Sequence, residues 1–194
     1  MPLSPFALVS AEDAMRECDA PDADYLEVED LVNAATSRIE AFCQQMFVAR
    51  PMLQTFDGDG SIILDLRSRI VSIKAVSVYD TQLLAPGTSQ TGLDDYRILH
   101  ERGELYRAFG WVPGVRNIVV EGTLGWGGIA AVPIDVRRAC MMLVKYWYKH
   151  EDDLATEKLG EYTYTRFAPQ ADDPNGDLPP KVQGILRARV RWHV

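Results

Sequence analysis

Hydrophobic positions change their period twice along this chain, and the changes mark its parts. Val28, Leu31, Val32, Ala35, Ile39, Phe42, Cys43 and Met46 recur at steps of three and four, which predicts an amphipathic helix with one apolar face. Glu27, Glu29, Asp30, Ser37, Arg38, Glu40 and Gln44 fall mainly off that stripe. The acidic residues of its first turn suit the positive end of the helix dipole. Upstream, Ser10 and Asp13 have the spacing of a capping motif, predicting a short helix from about Ala11 to Glu17 that ends before Pro21.

From about Arg50 the period drops to two. After an Asp57-Gly58-Asp59-Gly60 turn, Ile62, Leu64 and Leu66 alternate with Ile63, Asp65 and Arg67, the pattern of a strand. Val71, Ile73, Ala75, Ser77 and Tyr79 alternate with Ser72, Lys74, Val76 and Val78. The second half of that run is apolar on both faces, as in a strand covered twice. Residues 84–92 form a Pro/Gly/Ser/Thr loop, expected to be exposed and mobile. Residues 96–100 and 104–107 flank Glu101-Arg102-Gly103 as a hairpin, Pro113-Gly114 makes a turn, and 117–124 form one more strand.

Gly125-Trp126-Gly127-Gly128 breaks this strand, and Pro133 fits the first position of a helix. That helix stacks Val136, Ala139, Cys140, Leu143, Val144 and Trp147 on one face. A last helix begins near Pro180 with Val182, Ile185 and Leu186 on one side and Lys181, Arg187, Arg189 and Arg191 on the other. The expectation is an α+β fold in a single domain. Antiparallel helices from about 1–49 and 128–194 form its body, with a small antiparallel β unit inserted over about 50–127.

Composition narrows the function. The chain has 194 residues, 47% hydrophobic and 25% charged, with a formal net charge of −8. That acidity repels phosphate over most of the surface, so tight non-specific DNA binding is not expected, though DNA could slide past. Cys18, Cys43 and Cys140 are scattered without a C-x-x-C pair. Cys43 and Cys140 read as buried free thiols, and the odd count fits a reducing compartment. The N-terminus lacks a basic n-region and a long apolar stretch, and no run nears the ~18 to 20 residues that span a bilayer. A soluble protein, intracellular when made, is expected.

Catalytic vocabulary is missing. His100, His150 and His193 make no metal-binding ladder, and there is no G-x-S-x-G, Walker A or G-x-G-x-x-G motif. Asp57-Gly58-Asp59-Gly60 lacks the later ligands of a calcium loop and reads as a turn. Gly125 to Gly128 reads as a strand-to-helix joint, not an anion cradle, since Pro133 removes a donor. His150 suits a helix C-terminus. Glu151, Asp152, Asp153, Glu157 and Glu161 form an acidic cluster that reads as a solvated face, or as the partner of an Arg187-Arg189-Arg191 strip on a neighbouring subunit. Tyr146, Trp147, Tyr148, Tyr162, Tyr164 and Phe167 concentrate aromatics among acidic charges, which favours core or interface anchors over base stacking. No cofactor or metal is expected. A small enzyme using the acidic cluster with His150, and a general α+β binding module, are the rival readings.

The order of several motifs resembles the tailed-phage head–tail connector (adaptor) family. These are the early helix ending Ile39-Glu40-Ala41-Phe42-Cys43, Gly125-Trp126 before Val132-Pro133-Ile134-Asp135 and Ala139, Leu159-Gly160-Glu161-Tyr162-Thr163-Tyr164, and Leu178-Pro179 opening a helix with Ile185-Leu186. Glu161 stands where a Gly-Asp pair is common in the family, and the β insertion is long for its smaller members. The resemblance implies a non-enzymatic virion protein of the neck. It would assemble as a homo-oligomeric ring, typically a dodecamer, beneath the portal protein. There it would extend the DNA channel and offer a docking surface to a stopper or tail terminator protein. It would make the segment from Leu178 the portal-docking element. The candidate docking or subunit-interface residues are Leu178, Ile185, Leu186, Arg187, Arg189, Arg191, Tyr162 and Tyr164. Another neck or tail-completion structural protein is the alternative.

Overall fold

In the computed structural model, residues 2–87, 95–150, 158–159, 162–163 and 178–191 are described. The chain divides into two compact units, one from residues up to Cys43 and from Pro133 onward, the other from Gln44–Val132.

The helical unit begins at the expected cap: the Ser10 hydroxyl accepts the Asp13 N–H (3.1 Å) and opens α1 (Ala11–Cys18). Asp19, in the left-handed region at φ 55°, closes it. Along α2 (Tyr25–Cys43) the residues Val28, Val32, Ala35, Ile39 and Cys43 are buried as the stripe predicts. Leu31 and Phe42 are half-buried, and Met46 lies beyond the helix, against the core of the other unit's own sheets. Two polar side chains on α2 tie down the N-terminal arm. Asn33 accepts the Ser4 N–H (2.8 Å) and donates to the Pro2 carbonyl (3.2 Å). Thr36 accepts the Leu8 N–H (3.2 Å), and Ala7, Leu8 and Val9 are buried.

Helix α3 (Ile134–His150) starts one residue later than predicted. Pro133 is its N-cap, with a carbonyl accepting the Arg137 N–H (3.1 Å). Val136, Ala139, Cys140, Leu143 and Val144 are buried and Trp147 is half-buried. The helix runs back along α2: Tyr148, near its end, donates to Asp24 (2.5 Å), just before α2 begins. Lys158–Leu159 (β8) pairs antiparallel with Tyr162–Thr163 (β9), a ribbon the sequence did not suggest. Helix α4 (Pro180–Leu186) follows, continued by a 3-10 turn over Arg187–Arg189.

The other unit holds two antiparallel sheets. One has the order β1 (Arg50–Gly58), β7 (Gly114–Leu124), β3 (Ile70–Val78), β4 (Thr81–Gln82). The second has the order β2 (Ile63–Asp65), β6 (Glu104–Tyr106), β5 (Arg97–Leu99). The β5–β6 hairpin is the one predicted, and its Gly103 sits at φ 65°. The sheets share a core: Met52, Val76, Val78, Ile118, Val120 and Leu124 meet Leu64, Leu66, Leu105, Tyr96 and Trp111.

Strand β3 departs from its predicted phase. Register shifts between Ile70 and Ser72 and between Ile73 and Ala75 change which residues face inward. Ile70, Val76 and Val78 are buried while Val71 and Tyr79 are exposed. Ala75 and Ser77 on the other face are only half-buried, so the strand is not covered twice. At the end of β7, Gly125 adopts φ 127°, and a Cβ there would lie 2.7 Å from the Ala49 backbone, so only glycine lets the two chains cross. Beside it Phe47 stacks on Trp126, and the Arg69 guanidinium lies over the same indole at 4.9 Å. Among the described residues no helix is long and apolar enough to cross a membrane.

Candidate docking surfaces

Most of the predicted docking residues near the C-terminus serve their own unit. Leu178, Val182 and Leu186 are buried, and Ile185 is half-buried. The Gln183 side chain donates to the Leu178 carbonyl (2.8 Å), fixing the entry to α4. Arg189 donates through Nε to Asp135 on α3 (2.8 Å), with both side chains about a third exposed. The Arg191 N–H donates to the Cys43 carbonyl (3.1 Å) at the end of α2. The ion pair turns Arg189 toward α3 of its own unit. Arg187 is exposed, while the segment around it is fastened to α2 and α3. For Tyr162 only the backbone is described. Tyr164, Phe167 and the acidic cluster of Glu151, Asp152, Asp153, Glu157 and Glu161 lie outside the described residues.

The groups that could carry chemistry are structurally engaged. Burial pushes the Cys43 and Cys140 thiols up to about 12 and raises Cys18 as well, so none is a ready thiolate. His100 Nδ1 lies 3.0 Å from the Ile70 carbonyl, at the turn of the β5–β6 hairpin. The Asp59 carboxylate accepts the Ser61 N–H (2.8 Å), which holds its pKa below the usual carboxylate range. Asp57 accepts the Arg116 N–H (2.5 Å). Asp57 and Gly58 thus end β1, and only Asp59 and Gly60 lie in the bend that follows, two residues later than the sequence predicts.

One surface was not anticipated. At one end of the β unit Phe109 is 98% exposed, Val115 83% and Tyr79 60%, with Val112 and Ile62 exposed beside them. These residues come from three connecting segments and the start of β7, cross-linked by polar groups. The Tyr79 hydroxyl donates to the Pro113 carbonyl (3.0 Å). Buried Asn117 accepts the Gly58 N–H (2.9 Å) and donates to the Val112 carbonyl (2.7 Å). A Cβ on Gly114 would stand 2.3 Å from the Tyr79 hydroxyl. Tyr79, Asp80 and Arg116 all lie in the left-handed region, at φ 48°, 63° and 50°. The first two form the two-residue turn between β3 and β4, a place that favours Asn-Gly. Non-glycine residues there cost about 1–2 kcal/mol each. A rigid end that keeps an aromatic ring in water at such a cost has the character of a binding surface. No motif in the sequence marks it, because Tyr79 continues the alternation of the strand before it.

The family model for "head completion protein" matches residues 8–188. No curated protein matches the chain. Among solved structures, a chain from the neck of an empty gene transfer agent (GTA) particle with C6 symmetry is similar, at 14% identity and a TM-score of 0.67. The match covers 100% of this chain and 96% of that one. A chain from the virion of the native GTA particle matches at 14% identity and a TM-score of 0.66, covering 100% and 94%. One from the neck of the native particle with C12 symmetry matches at 15% identity and 0.61, covering 100% and 97%. At these identities the likeness is one of fold.

Proposed function

We propose that this chain, which belongs to the head completion protein family, forms a ring in the neck of a phage-type virion, between the portal and the tail or stopper protein. Membership itself gives a structural, head-completing role, which implies that the chain is not an enzyme. The observation that carries the reading is the family match over 8–188, nearly the whole chain. The fold is shared with chains from particle necks of C6 and C12 symmetry, which supports a closed cyclic assembly. A net charge of −8 suits the wall of a channel through which DNA passes without sticking. In this reading the segment from Leu178 meets the portal through Ile185 and Arg187, with Leu178 and Leu186 as its internal anchors. The apolar end of the β unit meets a second neck protein.

The test is to incubate the purified chain with tailless capsids or isolated portal rings of its own particle and image the products by electron microscopy. A ring coaxial with the portal is expected. Decoration elsewhere on the capsid, or none, would overturn the placement, and a non-cyclic attachment at the vertex would favour another neck-completion protein.

A further inference from the structure

We infer that the open edge of β1, with the outer face of its sheet, which carries no net charge, beside it, is the surface on which a second copy of this chain packs; the inference rests on the ring reading. Strand β1 ends its sheet, paired on one side to β7 and, among the described residues, to no strand on the other. Two observations fix which backbone groups point outward. The Tyr79 N–H donates to the Asn117 carbonyl (2.9 Å), so odd-numbered residues of β7 turn their polar groups toward β3 and even-numbered ones toward β1. In the register, Met52 faces Gly122 and Gln54 faces Val120, and these pairs exchange the hydrogen bonds. Pro51 agrees, because a residue with no N–H belongs where that position faces away from the ladder. The N–H and C=O groups of Leu53 and Thr55 therefore point away from β7, free to receive another strand.

Proteins usually blunt such an edge with lysine or an inward charge. Between Arg50 and Asp57 this edge carries no charge. Pro51 and the irregularity between Phe56 and Gly58 limit its two ends, leaving a defined window. Leu53 in its centre is 74% exposed. Beside it the outer face holds Thr55, Val119, Ala75 and Ser77, all half-buried, and the carboxylate of Glu121 there is paired with Lys74.

Charge selects the occupant. Two chains of −8 repel wherever their acidic surfaces meet, and least across a strip that carries no net charge. A basic protein would gain more from the acidic remainder of the surface, and an extended polyanion would gain nothing here. A neutral, strand-hungry edge on an acidic chain fits another chain of the same sign. Lateral packing through this edge leaves the apolar end around Phe109 uncovered for a different protein.

The experiment follows the full-length chain by mass photometry and sedimentation across concentration, alone and with portal-bearing capsids. The wild type is compared with Leu53→Lys, Thr55→Pro and, as a control at the other surface, Val115→Lys. Thermal melting verifies that each is folded. The wild type and Val115→Lys should form rings, while Leu53→Lys and Thr55→Pro should need about tenfold more protein to do so at an unchanged melting temperature. The lysine lowers the net negative charge, so any loss reflects the edge and not added repulsion. Folded Leu53→Lys that assembles like the wild type overturns the site but leaves the ring reading standing. A wild type that never forms rings, even on capsids, overturns the ring reading. If Leu53→Lys assembles normally but no longer joins capsids, the edge belongs to a different protein and the proposal falls.

Discussion

Cys43 and Cys140 show what burial does to a single residue. Each lies on the apolar stripe of its helix with no exposed surface, and each thiol is pushed from 9.0 to about 12 by desolvation. The folded chain thus prefers the neutral thiol more strongly than the unfolded chain does. The stability this contributes is complete below pH 9 and is lost as the pH climbs from there toward 12, by about 1.4 kcal/mol per unit for each thiol. Urea unfolding should weaken between pH 8 and pH 10.5, and a Cys43→Ala/Cys140→Ala variant should weaken less over the same interval; equal slopes would mean other groups set the alkaline limit. The helical stripe made both buried thiols legible in the sequence. The left-handed Tyr79 and Asp80 were not legible, because tyrosine has no preference for a backbone conformation that tertiary contacts impose, and Tyr79 continues a strand's alternation.

At the level of elements, the legible ones are those whose side chains repeat without interruption. Helices α2 and α3 were readable because five residues of each repeat at helical spacing and end up buried. Strand β3 was readable as a strand but not in phase, since two bulges hide inside an unbroken apolar run. Strand β1 gave little alternation, with Pro51 and Leu53 exposed at its solvent edge. The N-terminal arm escaped notice for a related reason: its hold on α2 comes from Asn33 and Thr36, polar residues that an apolar stripe does not include. Asn33→Ala removes two hydrogen bonds worth about 1 kcal/mol each. The amides of Ser4, Phe6, Ala7 and Leu8 should then exchange about tenfold faster with a small fall in overall stability. Unchanged exchange would mean that burial of Ala7, Leu8 and Val9 alone secures the arm.

For the whole molecule the deciding quantity is its charge, and it separates two ways in which a ring could close. If neighbouring subunits were joined by the Arg187-Arg189-Arg191 segment against acidic residues, their attraction would be ionic and salt would weaken it. The structure already draws Arg189 to Asp135 within one chain, which leaves less of that segment for a neighbour. If they join through the neutral edge of β1, the contact itself is insensitive to salt and only the mutual repulsion of chains of −8 is screened. Raising the ionic strength from 0.1 M to 1 M shortens the screening length from about 10 Å to about 3 Å. The concentration at half-assembly should therefore fall over that range, while Leu53→Lys stays the poorer assembler at both ends of it. A half-assembly concentration that rises with salt would give the closure of the ring to ion pairs. The basic C-terminal segment would then be the next surface to mutate, beginning at Arg187, the exposed member of the three.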